Sequence, residues 1–289
     1  MEEKIVEQEP KKKRIWLRIL LVFLAIIALF WIYLFFIEPK MLVIQEYAVV
    51  DEMIPDSFNG FKIVQFSDIH FGRTTNEQEV TNVVEKINLL KPDILVFTGD
   101  LFDEYITLSD DNIAFLKESL KATTATLGKY AIKGDSDYLN IEKYEEIMKE
   151  SGFTILDSQN VPIYYLENTP TYLSGISSIT KQEYDLTKAI TKEAEGNFFQ
   201  ILLTHEPIIF QEVSSSTRLV LAGHSLGGLI RIPYTNGLFK KDNTGDYQVG
   251  KFTDGNAVMY VSNGIGTEDF SARFLNIPSI SLYRLYNYE

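Results

Sequence analysis

The chain of 289 residues carries 27 Lys plus Arg against 40 Asp plus Glu, a formal charge of −13. That balance argues against a sequence-independent grip on nucleic-acid phosphates, and an anionic substrate would need locally supplied positive charge, such as bound metal ions. No cysteine occurs, which excludes disulfides, thiolate metal sites and cysteine catalysis, while the length suits one large α/β domain behind an N-terminal segment.

Lys11-Lys12-Lys13-Arg14 precedes an apolar run from Ile15 to Ile37 that only Arg18 interrupts. A membrane span needs roughly 20 apolar residues, whereas the apolar part of a secretory signal runs about 7–15, so this segment reads as an uncleaved anchor. Trp16, Trp31 and Tyr33 lie near its ends as interfacial residues. Basic charge before the span, against Glu38, Lys40 and Glu46 after it, places residues 38–289 outside the cytoplasm by the positive-inside rule. The expected division is a basic tail at 1–14, an anchor at 15–37, a linker with a first strand at 38–60, and one domain over 61–289.

A strand is expected from Met41 to Val50, and Pro55 to Gly60 reads as a turn. Phe61 to Phe66 is the next strand; Val80, Val83, Val84, Ile87 and Leu90 then recur at helical spacing, and Lys91-Pro92-Asp93 stops that helix before a strand from Ile94 to Phe97. This is a βαβ unit. The pattern repeats with a helix from Asn112 to Lys121, a strand from Tyr130 to Lys133, a helix from Ile141 to Ser151 and a strand from Phe153 to Leu156. Short strands follow through Ile176, then a helix near Tyr184 to Glu195 and a strand from Phe198 to Leu203. Leu219 to Ala222, Ala257 to Val261 and Ser279 to Leu285 complete the strands. The expected fold is α/β, with two mixed β-sheets packed face to face and flanked by helices.

Five strands run straight into metal-capable residues: Asp68 and His70, Asp100, Asp135 and Asp137, His205, and His224. Ligands of open α/β sheets bind at the carboxyl ends of strands, so these side chains can converge despite their separation in sequence. All three histidines of the chain belong to the set. Each alone reads as a core histidine held by hydrogen bonds; together they read as ligands. Carboxylates with imidazoles and no thiolate suit Mn, Fe or Zn better than Ca.

The succession Asp68-Ile69-His70, Gly99-Asp100, Gly134-Asp135-Ser136-Asp137, His205 and Gly223-His224-Ser225-Leu226-Gly227-Gly228 resembles the calcineurin-like metallophosphoesterases. Lys91 to Asp100, Gly227 to Pro233 and Ser262 to Thr267 are similar to the membrane-anchored bacterial branch of that superfamily. The resemblance implies that Asp68 and His70 bind a first divalent metal, Asp100 bridges two, and Asp135, His205 and His224 bind the second. It assigns Asp100, Asp135 and His224 to the catalytic centre and implies attack by metal-activated hydroxide on a phosphate ester or pyrophosphate. The membrane-anchored branch suggests a lipid-linked or envelope phosphoester.

Three positions depart from the family pattern. Asp135 stands for asparagine, Ser136 for a histidine that supports the leaving group, and Leu226 for a histidine ligand of the first metal. Loss of a general acid typically costs about 10²–10⁴-fold, so the expectations are a one-metal or asymmetric two-metal hydrolase, or a catalytically silent metal-binding ectodomain. Asp103 or Asp137 is expected as a turn or supporting carboxylate. Arg231 reads either as a bidentate contact to a substrate phosphate or as a surface ion pair, and Asn263 either orients a substrate oxygen or stabilises a turn. Ser225 lies in a Gly-x-Ser-x-Gly sequence, but no histidine follows it to serve as the base of a serine esterase.

Overall fold

The computed structural model describes residues 11–190, 198–232, 237–268 and 270–288, with side chains from residue 15 onward. Pro233 and residues 191–195 of the expected helix lie outside these residues. Helix α1 (Lys11–Ile32) continues through a π-helical turn, Tyr33–Ile37, into a short 3₁₀ turn at Glu38–Lys40. Ile15–Lys40 is 26 residues long and contains an 18-residue stretch of mean hydropathy 3.0, long and apolar enough to cross a membrane. Its apolar side chains from Ile15 to Ile32 are exposed, largely uncovered by the other described residues.

The first sheet contains β1 (Val43–Val50), β2 (Lys62–Phe66), β3 (Ile94–Phe97), β4 (Gly128–Ala131), β5 (Phe153–Ile155) and β12 (Ser279–Tyr286). Its order is β1-β12-β2-β3-β4-β5; only the β12–β2 pair is antiparallel. The second contains β6 (Gln159–Ile163), β7 (Thr171–Ile176), β8 (Gln200–Thr204), β9 (Leu219–Ala222), β10 (Gly250–Asp254) and β11 (Ala257–Val261), ordered β10-β11-β9-β8-β7-β6. Its two outermost pairs are antiparallel and the central ones parallel.

Side-chain alternation along these strands builds three apolar layers. Val64, Phe66, Leu95 and Phe97 point to one face, where α2 (Glu77–Leu90), α3 (Asp110–Lys121) and α4 (Ile141–Glu150) supply Val80, Ile87, Leu116 and Ile147. Ile63, Ile94 and Val96 point the other way and meet Leu173, Ile201, Leu203, Leu219 and Leu221 of the second sheet. Leu202, Val220 and Met259 face outward onto α5 (Leu186–Ala189) and α6 (Phe210–Val213). The result is two mixed sheets packed face to face with helices outside them. Because β2, β3 and β4 are parallel to one another, as are β8 and β9, their carboxyl ends gather at common sheet edges.

Local chemistry sets the boundaries. Asn76 and Glu79 form a reciprocal cap that starts α2, and Ser109 with Asn112 does the same for α3 two residues earlier than apolar spacing alone indicates. The fourth strand also begins earlier than expected, at Gly128, and ends at Ala131. The expected helix near Tyr184 is corrected in its described part: Asp185 caps only Leu186–Ala189. The buried Ile190 then turns to φ −114°, ψ 96°, out of helical conformation.

Candidate metal centre

Each metal-capable side chain emerges where a strand stops and the backbone reverses. Asp68 (φ 52°), His70 (φ 48°), Asp100 (φ 62°) and His224 (φ 67°) all adopt the left-handed region. Asp and His tolerate it better than most residues, yet such conformations cost of order 1–3 kcal/mol each, so the surrounding structure must hold them. It does so with backbone bonds from Asp68 N–H to Gly99 O at 2.9 Å and from His70 N–H to Asp100 O at 3.2 Å. Close passages also require glycine. A Cβ on Gly99 would lie 2.5 Å from Gly134 N and 2.7 Å from His205 Nδ1, and one on Gly134 would lie 2.1 Å from Asp100 Oδ1.

Asp137 holds these loops in register, accepting from the N–H groups of Asp100 (3.0 Å), Leu101 (2.8 Å) and Gly134 (2.8 Å). Ser136 donates its N–H to Asp100 Oδ1 at 2.9 Å and its hydroxyl to Phe102 O at 2.8 Å. The two sheets meet here as well: the N–H of His224 donates to Asp68 Oδ1 at 2.9 Å.

Two groups of ligand atoms result, each lying mutually within 4.8 Å and able to hold a metal ion: Asp68, His70 and Asp100, and Asp100, Asp135, His205 and His224. Asp100 belongs to both. His205 Nε2 lies 3.0 Å from Asp135 Oδ1 and 3.2 Å from Asp100 Oδ2; His224 Nδ1 lies 3.2 Å from Asp135 Oδ1. His70 Nε2 is 3.6 Å from Asp100 Oδ2. All except Asp135 are buried.

The donor chemistry fits a cation. Nδ1 of His205 faces the carbonyl of Thr98 at 2.7 Å, and Nε2 of His224 faces that of Asp242 at 2.8 Å. A carbonyl only accepts, so these nitrogens carry the protons in the neutral rings and the opposite nitrogens present lone pairs. Those two lone-pair nitrogens stand 3.3 Å apart. Among the described residues, no hydrogen-bond donor reaches Asp68 Oδ2, Asp100 Oδ2 or either nitrogen of His70, although all are buried. Unpartnered buried polar atoms at this density fit an ion.

The electrostatics agree. Burial opposes a charge on His205, but Asp100 and Asp135 overcome that opposition and raise its pKa well above the ordinary value. Burial likewise opposes ionisation of Asp100 and Asp135, yet the neighbouring histidines hold both carboxyls well below their usual range. Burial, with Asp100 adding to it, pushes Asp68 up. The centre therefore favours a cation at His205 Nε2, be it a proton or a metal ion.

Leu226 is buried at φ 50°, and its side chain offers no ligand atom. Arg231 is half-buried, its N–H bonded to Phe274 O at 2.8 Å. Asn263 donates its side-chain amide to Ile277 O at 3.1 Å. The hydroxyl of Ser225 is committed to Gln248 O and accepts from Gly227 N–H, which spends it within its own turn rather than on a histidine base.

Lys241 and Glu268 escape the sequence reading. They form an ion pair, and Glu268 Oε1 lies 3.8 Å from His70 Nε2. Burial opposes the charge on Lys241, but Asp100, Glu268 and Asp135 raise its pKa above the ordinary lysine value. The legible signals were weak: a Lys240-Lys241 pair in an acidic chain, and a carboxylate just after the Ser262–Thr267 run. Both line a cavity of about 210 Å³ with Leu226, Leu229, Phe239 and Phe270.

Comparison with known proteins identifies the family. Residues 61–228 match the family model of the calcineurin-like phosphoesterases. The uncharacterized metallophosphoesterase YkuE of Bacillus subtilis is 28% identical over 86% of this chain and 87% of its own length. The UDP-2,3-diacylglucosamine pyrophosphatase LpxG of Chlamydia trachomatis is 25% identical over 90% of this chain and 94% of its own. A dimetal phosphatase structure from Danio rerio aligns with TM-score 0.44 at 10% identity over 72% of this chain and 88% of that one. The chain belongs to the calcineurin-like phosphoesterase family.

Proposed function

We propose that this chain is a membrane-anchored metal-dependent phosphoesterase acting on a lipid-linked pyrophosphate or phosphate ester, with its domain outside the cytoplasm. Asp68, His70 and Asp100 hold one divalent ion and Asp100, Asp135, His205 and His224 a second, with Mn, Fe or Zn suiting these donors. When bound, such ions supply Lewis acidity toward phosphoryl oxygens and lower the pKa of water. The chain's own part is to fix the ligands through Asp137, Thr98 O and Asp242 O, and to bring Lys241 beside the carboxylates. In this reading Lys241 meets substrate phosphate oxygens, with Arg231 and Asn263 as further substrate-binding residues.

The observation that carries this reading is Asp100 shared between two buried Asp/His groups. Support for a lipid-linked substrate comes from the mouth. Phe274 packs edge-on against Phe30 of α1 at 5.2 Å, and Arg273 N–H bonds to Leu34 O at 3.0 Å. From there Phe274 bonds to Leu229, which lines the cavity beside Lys241, while Ile232, Leu238, Phe239 and Leu275 are exposed nearby in the chain. The opening thus combines lysine with apolar surface next to the anchor. A pyrophosphate also suits Ser136, whose hydroxyl is bonded to Phe102 O and leaves no acid in the histidine's place. A phosphate leaving group needs a proton less than an alkoxide does, which avoids much of the roughly 10²–10⁴-fold cost of a missing acid. The relative LpxG is named for a lipid-linked pyrophosphate.

Leu226 and Ser136 favour a second reading, a silent metal-binding ectodomain. Hydrolysis of an activated phosphodiester by the Mn²⁺-loaded, detergent-solubilised chain separates the two. Asp100→Asn is expected to be at least about tenfold slower than wild type, since it removes the shared ligand. Equal rates would leave only the silent ectodomain.

A further inference from the structure

Leu226 leaves the first group with Asp68, His70 and Asp100, which is short for an ion that takes four or more ligands. We infer that Glu268 supplies the missing ligand, so that a carboxylate from a different loop replaces the absent imidazole. This rests on the metal-centre reading above and extends it.

The geometry permits the substitution. Two atoms each about 2.1 Å from one ion lie at most about 4.2 Å apart. His70 Nε2 is 3.6 Å from Asp100 Oδ2 and 3.8 Å from Glu268 Oε1, so each oxygen is within that limit of His70. Glu268 stands just outside the group that Asp68, His70 and Asp100 form, and a side-chain rotation toward those two carboxylates brings it in. His70 itself is fully buried and, among the described residues, neither of its ring nitrogens has a hydrogen-bond partner, which leaves a lone pair unspent beside these carboxylates.

The loop that delivers Glu268 is tied to the first ligand. Gly266 N–H bonds to Asp68 O at 2.7 Å, and Ile265 N–H to Ser67 O at 3.1 Å. A Cβ on Gly266 would lie 2.2 Å from Ile69 O, so this approach requires glycine. Buried Arg273 clasps the loop from behind, donating to Gly266 O at 2.6 Å and to Asn263 O at 2.9 Å. Thr267 bonds through its carbonyl to the hydroxyl of Thr74. Glu268 thus follows an anchored turn while its own side chain stays about one-third exposed, free to adjust. A carboxylate has about four lone-pair positions, so its ion pair with Lys241 leaves room for a metal.

Isothermal titration of the chelator-stripped, detergent-solubilised full chain with Mn²⁺ tests this directly. Wild type is expected to take two ions. Glu268→Gln should keep one ion at wild-type affinity while the dissociation constant of the other rises at least about tenfold, and Leu226→His in the same chain should restore it. Matching thermal unfolding of stripped wild type and Glu268→Gln shows that the loss is local, and the double variant guards against a folding defect. Unchanged stoichiometry and affinity in Glu268→Gln, or a wild type that takes a single ion, would overturn the assignment of Glu268. A wild type that binds no Mn²⁺ would overturn the metal-centre reading itself.

Discussion

Gly134 shows how narrowly the centre is drawn. A methyl group there would meet the Asp100 side chain at 2.1 Å and its backbone nitrogen at 2.4 Å, and the backbone has nowhere to go because Asp100 N–H is bonded to Asp137. Gly134→Ala is therefore expected to cost about 1–3 kcal/mol of stability and to displace the shared carboxylate. Thermal unfolding and retained metal content should fall together; a variant with wild-type stability and metal would show that the passage is loose. The ligand types were legible at this scale because metal chemistry admits few side chains, and every histidine in the chain lay at a strand end. Lys241 and Glu268 were not, because their proximity arises from loop closure between segments that carry no periodic signal.

At the level of elements, α1 is joined to the domain through its exit turn. Its exit turn buries Glu38, whose Oε1 accepts from Asn276 N–H at 2.6 Å, and Asn276 in turn donates to Leu226 O at 2.7 Å. The apolar helix thereby reaches the turn beside the candidate metal centre through two hydrogen bonds. The proposed orientation has a direct consequence: external protease on intact cells is expected to remove residues beyond the anchor, and full protection would overturn it. Helices α2 to α4 were readable from apolar spacing because each buries one face, and the central strands from continuous apolar runs because both their faces are covered. Boundaries were less so. Ser109 and Asp185 set helix starts through side-chain caps, and Ile190 leaves helical geometry to fill the outer layer of the second sheet.

Across the whole molecule, two sheets bring five loops to one edge, and the burial of acidic groups there makes sense only with a cation among them. Their layering was legible from short apolar strand runs that alternate with helical patterns, whereas the join between α1 and the domain was not, since it depends on Phe274 and Asn276 in irregular chain. The most direct measurement is an anomalous difference map from crystals of the Mn²⁺-loaded protein. Peaks are expected at the two groups, about 3.5–4 Å apart, with Asp100 between them. Absence of density there, or ions bound only at other residues, would contradict the account.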